Sequence, residues 1–280
     1  MDGGLKKTKI MNKLEEIVQR KKIEVAGAKR NTPIGELEAS PLFRRQTISL
    51  KKNILERNTP AIIAEFKRRS PSRGEINSKV TPTQVAMGYQ KAGATGVSVL
   101  TDMVSFGGSN HDLIMLRQHT TVPVLRKEFI IDPYQVIEAK AIGADVILLI
   151  AACLEPTQLK ELAQTAQEQG LDVLMEVHSE EELETHLNRH VSVVGVNNRN
   201  LKTFEVSIQN SLDLADKIPN DFVKISESGL KTAEDIITLY KAGYKGFLIG
   251  ESFMKNPDPG ASCAKFIKQI EQLLNPEAIL

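Results

Sequence analysis

KAGATGVSVL at Lys91–Leu100, AIGADVILLI at Ala141–Ile150 and KAGYKGFLIG at Lys241–Gly250 are three versions of one joint. In each, a helical stretch ends on a glycine (Gly93, Gly143, Gly243) placed for a left-handed cap, and a buried-type strand follows within a few residues. The runs after the glycines, such as VILLIAA, are continuously apolar instead of alternating, which indicates strands covered on both faces, as in a parallel sheet. Outward from these joints, eight such runs can be counted: Ala61–Phe66, Gly96–Leu100, Val122–Phe129, Ala144–Ala151, Leu171–Val177, Val193–Asn197, Phe222–Ser226 and Gly246–Gly250. Their starts lie 35, 26, 22, 27, 22, 29 and 24 residues apart, room for one helix and two short loops in every interval. Eight βα units predict an α/β fold, a (β/α)8 TIM barrel. A doubly wound open sheet is the alternative, because periodicity does not show closure.

Residues 1–58 stand outside the repeat. Ile10, Met11, Leu14, Ile17, Val18 and Val25 fall mostly at i, i+4, i+7 and i+8 spacing among charged residues, which predicts an amphipathic helix over about residues 8–29. Pro33 and Pro41 break the chain before a second helical stretch near Ser49–Arg57. The chain therefore reads as a single barrel domain over 1–280, with 1–58 an N-terminal helical extension. That extension either covers apolar barrel surface or helps to close the site.

With 41% apolar residues in 280, a core is within reach. Thirty-six basic against thirty-five acidic residues leave a net charge of +1, so neither nucleic acid nor an anionic membrane is an expected partner. The longest apolar run, Val146–Leu154, is far short of the roughly 20 residues that span a bilayer, and the first twenty residues carry charges in place of a signal-peptide apolar region. Two cysteines, Cys153 and Cys263, make no disulfide framework and no metal-ligand spacing, which fits a cytoplasmic setting.

In such a barrel the chemistry sits where strands end at the C-terminal face. The first strand ends Glu65-Phe66-Lys67, the third Arg126-Lys127-Glu128, the fifth Glu176-Val177-His178, the sixth Asn197-Asn198-Arg199, the seventh Glu227-Ser228-Gly229 and the eighth Gly250-Glu251-Ser252. Ionisable groups at apolar strand ends are disfavoured unless paired or used, so their recurrence points to a site. Alternation turns Glu65 and Lys67 to one side and Glu128 away from Lys127. A structural ion pair or a solvated strand end is the plain reading of Glu65–Lys67 and of Arg126 or Lys127, and His178 reads as a hydrogen-bonded supporting group in place of a metal ligand. Ser228-Gly229 and Gly250, in the loops after the last two strands, match the phosphate site common to these barrels. A lysine whose pKa is lowered by burial or by a neighbouring cation could act as an acid near neutral pH.

The strings AEFKRRSPSRGEI (Ala64–Ile76), SVLTD and FGGS (Ser98–Asp102, Phe106–Ser109), PVLRKEFIID (Pro123–Asp132), MEVH (Met175–His178), GVNNRNLKTFEV (Gly195–Val206), SESG (Ser226–Gly229) and LIGESFM (Leu248–Met254) resemble indole-3-glycerol phosphate synthase over nearly the whole chain. The resemblance implies an enzyme of tryptophan biosynthesis that closes the indole ring of 1-(2-carboxyphenylamino)-1-deoxyribulose 5-phosphate with loss of carbon dioxide and water, using no cofactor and no metal. By the same resemblance Lys127 protonates the substrate carbonyl, Glu176 serves the later proton removal and dehydration, and Lys67 binds the carboxylate and is a second candidate proton donor. Glu65 and Asn197 orient the substrate, and Glu227 contacts its sugar-derived part. Ser70, Ser228, Gly229, Gly250 and the Glu251 amide cover its anionic ends, with Arg199 and Leu248 also at the site, and Phe106 and Phe129 flank the aromatic ring. The Glu251 side chain should point away, since a carboxylate cannot bind phosphate. The partner is then a phosphorylated small molecule, with contacts to other tryptophan-pathway enzymes as a further expectation. The rivals are another sugar-phosphate barrel enzyme, such as a Schiff-base aldolase using Lys127 or Lys67, and a barrel that only binds its ligand.

Overall fold

Eight parallel strands close on themselves in the computed structural model, which describes residues 13–71, 73–200, 203 and 205–275. They are β1 (Ala61–Phe66), β2 (Gly96–Leu100), β3 (Val124–Lys127), β4 (Val146–Ile150), β5 (Asp172–Val177), β6 (Val193–Asn197), β7 (Val223–Glu227) and β8 (Gly246–Ile249). Each pairs with its neighbours in chain order, and β1 pairs with both β2 and β8, which rules out the open sheet. Gly93, Gly143 and Gly243 have φ of 88°, 96° and 98°, the left-handed caps that the three repeated joints predict.

Side-chain alternation builds two cores. Ile62, Ala64, Val97, Val99, Ile147, Leu149, Val173, Met175, Val194 and Val196 face the helices, while Ile63, Leu125, Leu148, Leu174, Ile225 and Leu248 fill the barrel interior. Counting two residues onward from Ile63, Leu125, Leu174 and Ile225 reaches Glu65, Lys127, Glu176 and Glu227, so the interior column continues at the top as charge.

Four strands are shorter than the apolar runs suggest, the fifth and eighth by a single residue and the third and fourth by more. The third begins at Val124 because Pro123 has no N–H for the ladder. The fourth begins at Val146 because the preceding Asp145 turns its carboxylate onto the Val124 N–H, 2.8 Å away. A small hairpin, Arg69–Ser70 against Gly74–Glu75, in the loop after β1 was not expected from the sequence; Gly74 turns it at φ 66°.

The extension is helical as expected, with shifted bounds. Helix α1 spans Lys13–Asn31, and residues 8–12 of the expected helix lie outside the described residues. A short α2, Ile34–Glu38, starts directly after Pro33, which precedes the helix where a break was expected; proline is tolerated at a helix start. Helix α3, Leu50–Leu55, is capped by Ser49, whose side chain accepts the Lys52 N–H. Its Leu50 and Ile54 join Ala61, Val146, Val193 and Val223 at the N-terminal end of the barrel, closing the floor. Val25 of α1 instead packs with Tyr134, Ile137 and Ala141. The remaining α-helices are α4 (Pro82–Lys91) after β1, α5 (Met103–Phe106) and α6 (Asn110–Arg117) after β2, α7 (Pro133–Ala141) after β3, α8 (Pro156–Glu168) after β4, α9 (Glu180–His186) after β5, α10 (Gln209–Leu214) after β6, α11 (Ala233–Lys241) after β7, and α12 (Glu251–Met254) and α13 (Pro259–Leu274) after β8. Among the described residues no helix is long and apolar enough to cross a membrane.

Candidate active site at the barrel mouth

Lys127 is the centre of the mouth. Its Nζ donates to Glu227 Oε2 and lies 3.5 Å from Glu176 Oε2. Glu65, on β1, pairs with Lys67 at 2.8 Å. Asn197 and Glu227 both act on the Glu176 carboxyl. Thus β1, β3, β5, β6 and β7 each deliver one of the expected groups to a single cluster, and Glu227 is fully buried there.

The cluster sets its own protonation. Burial works against the Lys127 ammonium, but Glu227, Glu176 and Glu65 outweigh it and hold the group well above an ordinary lysine. This corrects the expectation of a lowered lysine: the groups around Lys127 are carboxylates, so it rests protonated. Burial would also raise Glu65, yet Lys67 and Lys127 keep it below the usual carboxylate range. Glu176 behaves likewise, with Lys127 and His178 overcoming burial. Glu227 is the exception, pushed up to about 7, because burial and the neighbouring Glu176 and Glu65 outweigh Lys127. One carboxyl of the set therefore retains a proton near neutral pH while another remains ionised, and the set titrates together.

Around the cluster lie the loops. The Phe106 and Phe129 rings are stacked with centroids 6.5 Å apart and an interplanar angle of 29°. Ser228 and Gly229 follow Glu227 with φ of 69° and 71°. Thr232 caps α11 in a reciprocal capping box with Asp235. Glu251 turns to Arg73, 3.2 Å away, in the loop after β1. Ser70 is buried in the hairpin, Leu248 packs in the barrel interior, and Arg199 bridges to Val206 through its backbone. Among the described residues no group of three or more His, Cys, Asp and Glu side chains is arranged to hold a metal ion.

The family model for indole-3-glycerol phosphate synthase matches residues 14–267. This chain belongs to the indole-3-glycerol phosphate synthase family. The proteins of that name from Bacteroides thetaiotaomicron and Burkholderia vietnamiensis are 44% and 43% identical to it over 258 and 254 residues. The matches cover 92% and 90% of this chain and 98% and 97% of theirs. Solved structures resemble it in fold: thiamine phosphate pyrophosphorylase from Pyrococcus furiosus has a TM-score of 0.56 at 15% identity, covering 81% of this chain and 100% of its own. KGPDC from Streptococcus mutans reaches 0.59 at 12%, covering 78% and 100%. The activity is that of the synthase, a carboxy-lyase step of tryptophan biosynthesis, which sets aside the aldolase and binder readings.

Two features of this synthase escaped the sequence reading. Gly195, on β6 between Glu176 and Glu227, has no side chain because the Glu227 carboxyl occupies that space: a Cβ there would overlap Glu227 Oε1. Gly250 serves Glu65 in the same way, with Glu65 Oε1 2.6 Å from where its Cβ would be. A glycine inside a β-branched run was the available signal. The second feature is the α1 contact. Lys21 reaches Asp102 at 2.9 Å and Glu128 at 3.0 Å, all three buried, and Arg20 pairs with Asp102 at 3.0 Å. Glu128 does point away from Lys127, but into this ion cluster, where it also accepts the Thr101 hydroxyl at 2.9 Å. Arg126 is buried as well, bonded to Gln135 and Asn110, and is not a solvated strand end. Lys21 sits midway between Ile17 and Val25 at i+4 spacing, a cation within the apolar stripe.

Proposed function

We propose that the Lys127–Glu176–Glu227 cluster carries the ring closure of 1-(2-carboxyphenylamino)-1-deoxyribulose 5-phosphate. The observation behind it is a lysine ammonium ringed by three carboxyls inside the barrel mouth. As the aromatic carbon bonds to the carbonyl carbon, Lys127 gives its proton to the oxygen that becomes a hydroxyl. The substrate carboxylate, paired with Lys67, then leaves as carbon dioxide and its bonding electrons restore the ring. Glu176 takes a proton from the neighbouring carbon while the hydroxyl departs as water, protonated by an adjacent acid. Glu65 and Asn197 orient the reacting groups, and Glu227 contacts the sugar-derived part.

Phe106 and Phe129 would flank the anthranilate ring. Two van der Waals contacts of about 3.5 Å each span about 7 Å, close to the 6.5 Å between their centroids, so a small outward shift admits a flat ring. The turn at Ser228-Gly229, Gly250 and the Glu251 amide would receive the phosphate, with Ser70, Arg199 and Leu248 completing the surroundings. Two free cysteines and a net charge of +1 support a cytoplasmic enzyme without a nucleic-acid partner. Contacts with other enzymes of the pathway belong to the same proposal. In the test, Glu176→Gln is expected to lower kcat at least about a hundredfold with KM changed only a few-fold; wild-type turnover in that variant would remove Glu176 as the base.

A further inference from the structure

His178 directly follows β5, two residues beyond Glu176, and both side chains stand on the same side at the mouth. Its Nδ1 lies 3.3 Å from Glu182 Oε2 on α9, and the same oxygen accepts the His178 backbone N–H at 2.7 Å. Its Nε2 lies 3.5 Å from Glu176 Oε1 and is buried with no hydrogen-bond partner. Each ring nitrogen therefore faces a carboxylate, an arrangement that only a ring with protons on both nitrogens satisfies.

The other charged and titratable neighbours reinforce this. Glu227 of β7 also acts on the ring. Lys127 of β3 lies against the other Glu176 oxygen, Oε2, and Glu65 of β1 belongs to the same cluster. Cys153, in the turn after β4, lies beside Glu176 and Glu182, and burial keeps its thiol protonated. Burial alone would strip the ring of its charge, but Glu182, Glu176 and Glu227 outweigh it and raise the imidazole above its ordinary value.

We propose that His178, clamped by Glu182, is a positioning residue whose imidazolium holds the Glu176 carboxylate ionised and aimed at the proton it removes. The inference rests on the reading of Glu176 as the base. His178 acts through Glu176 and touches no reacting atom, and Glu182 acts through His178.

The test is the pH dependence of kcat in the full-length protein. Removing the cation raises the Glu176 carboxyl, so the acidic limb, where activity is lost as pH falls, moves to higher pH. His178→Asn is expected to shift that limb upward by about one unit and to lower kcat at pH 7 about tenfold, with KM within about twofold. Glu182→Gln, a half-buried change on α9, is expected to shift the limb the same way by less, because the ring loses the partner of Nδ1. A purely structural role would lower the melting temperature and leave the limb in place. An unmoved limb in folded His178→Asn overturns the proposal; if that variant does not fold, an unmoved limb in Glu182→Gln overturns it. Should Glu176→Gln retain wild-type turnover, the base assignment fails and the inference falls with it. An inactive Glu176→Gln with unmoved limbs in the other two variants defeats this inference alone.

Discussion

Lys127→Met is expected to lower kcat at least about a hundredfold, the scale of losing a general acid, while the barrel remains folded. The ammonium lies against both Glu176 and Glu227, and its loss removes the proton donor proposed for the carbonyl oxygen. Three buried carboxyls are left behind, but Glu227, already at about 7, rises further and binds a proton, which relieves the uncompensated charge. Turnover measured by indole fluorescence, alongside a melting curve, checks both halves. Activity within a few-fold of wild type would remove Lys127 from the mechanism.

Asp145→Ala is expected to cost about 3–5 kcal/mol of stability, the range for removing one partner from a buried ion pair. Asp145 has no exposed surface and lies at the N-terminal end of the barrel. Its carboxylate meets Arg45 and Arg117 at 2.6 Å each and accepts the Ile48 and Val124 N–H groups at 2.8 Å each. Arg45 and Ile48 belong to the extension and Arg117 and Val124 to the barrel, so the alanine variant leaves unpaired groups on both sides. We propose on this basis that extension and barrel unfold as one domain. Thermal unfolding of the variant is expected to remain a single transition with Tm lowered by about 10 °C. A separate early transition would contradict the single-domain reading, and an unchanged Tm would contradict the weight given to Asp145.

The barrel was legible because its cues are local and repeated: glycine caps, continuous apolar runs, and intervals that fit one helix each. Much of the charged cluster at the mouth was legible for the same reason, since alternation along each strand carries the interior column from Ile63 to Glu65 or from Leu125 to Lys127. What depended on several strands at once was not. The direction in which Lys127 titrates follows from three carboxylates on β1, β5 and β7 meeting at one point, and spacing along the chain says nothing of that meeting. Gly195 reads as an ordinary small residue until Glu227 is seen in the space above it. The reach of α1 to Asp102 and Glu128 joins residues more than eighty positions apart, and only the misplaced Lys21 in its apolar stripe hinted at it. Leu50 and Ile54 in the floor show the extension covering apolar barrel surface, the first of the two roles its sequence allowed.

The most direct test is to mix the purified protein with 1-(2-carboxyphenylamino)-1-deoxyribulose 5-phosphate, adding neither metal nor nucleotide, and to follow indole fluorescence. Steady formation of indole-3-glycerol phosphate is the predicted result; a folded protein that binds the substrate and yields no product would contradict it.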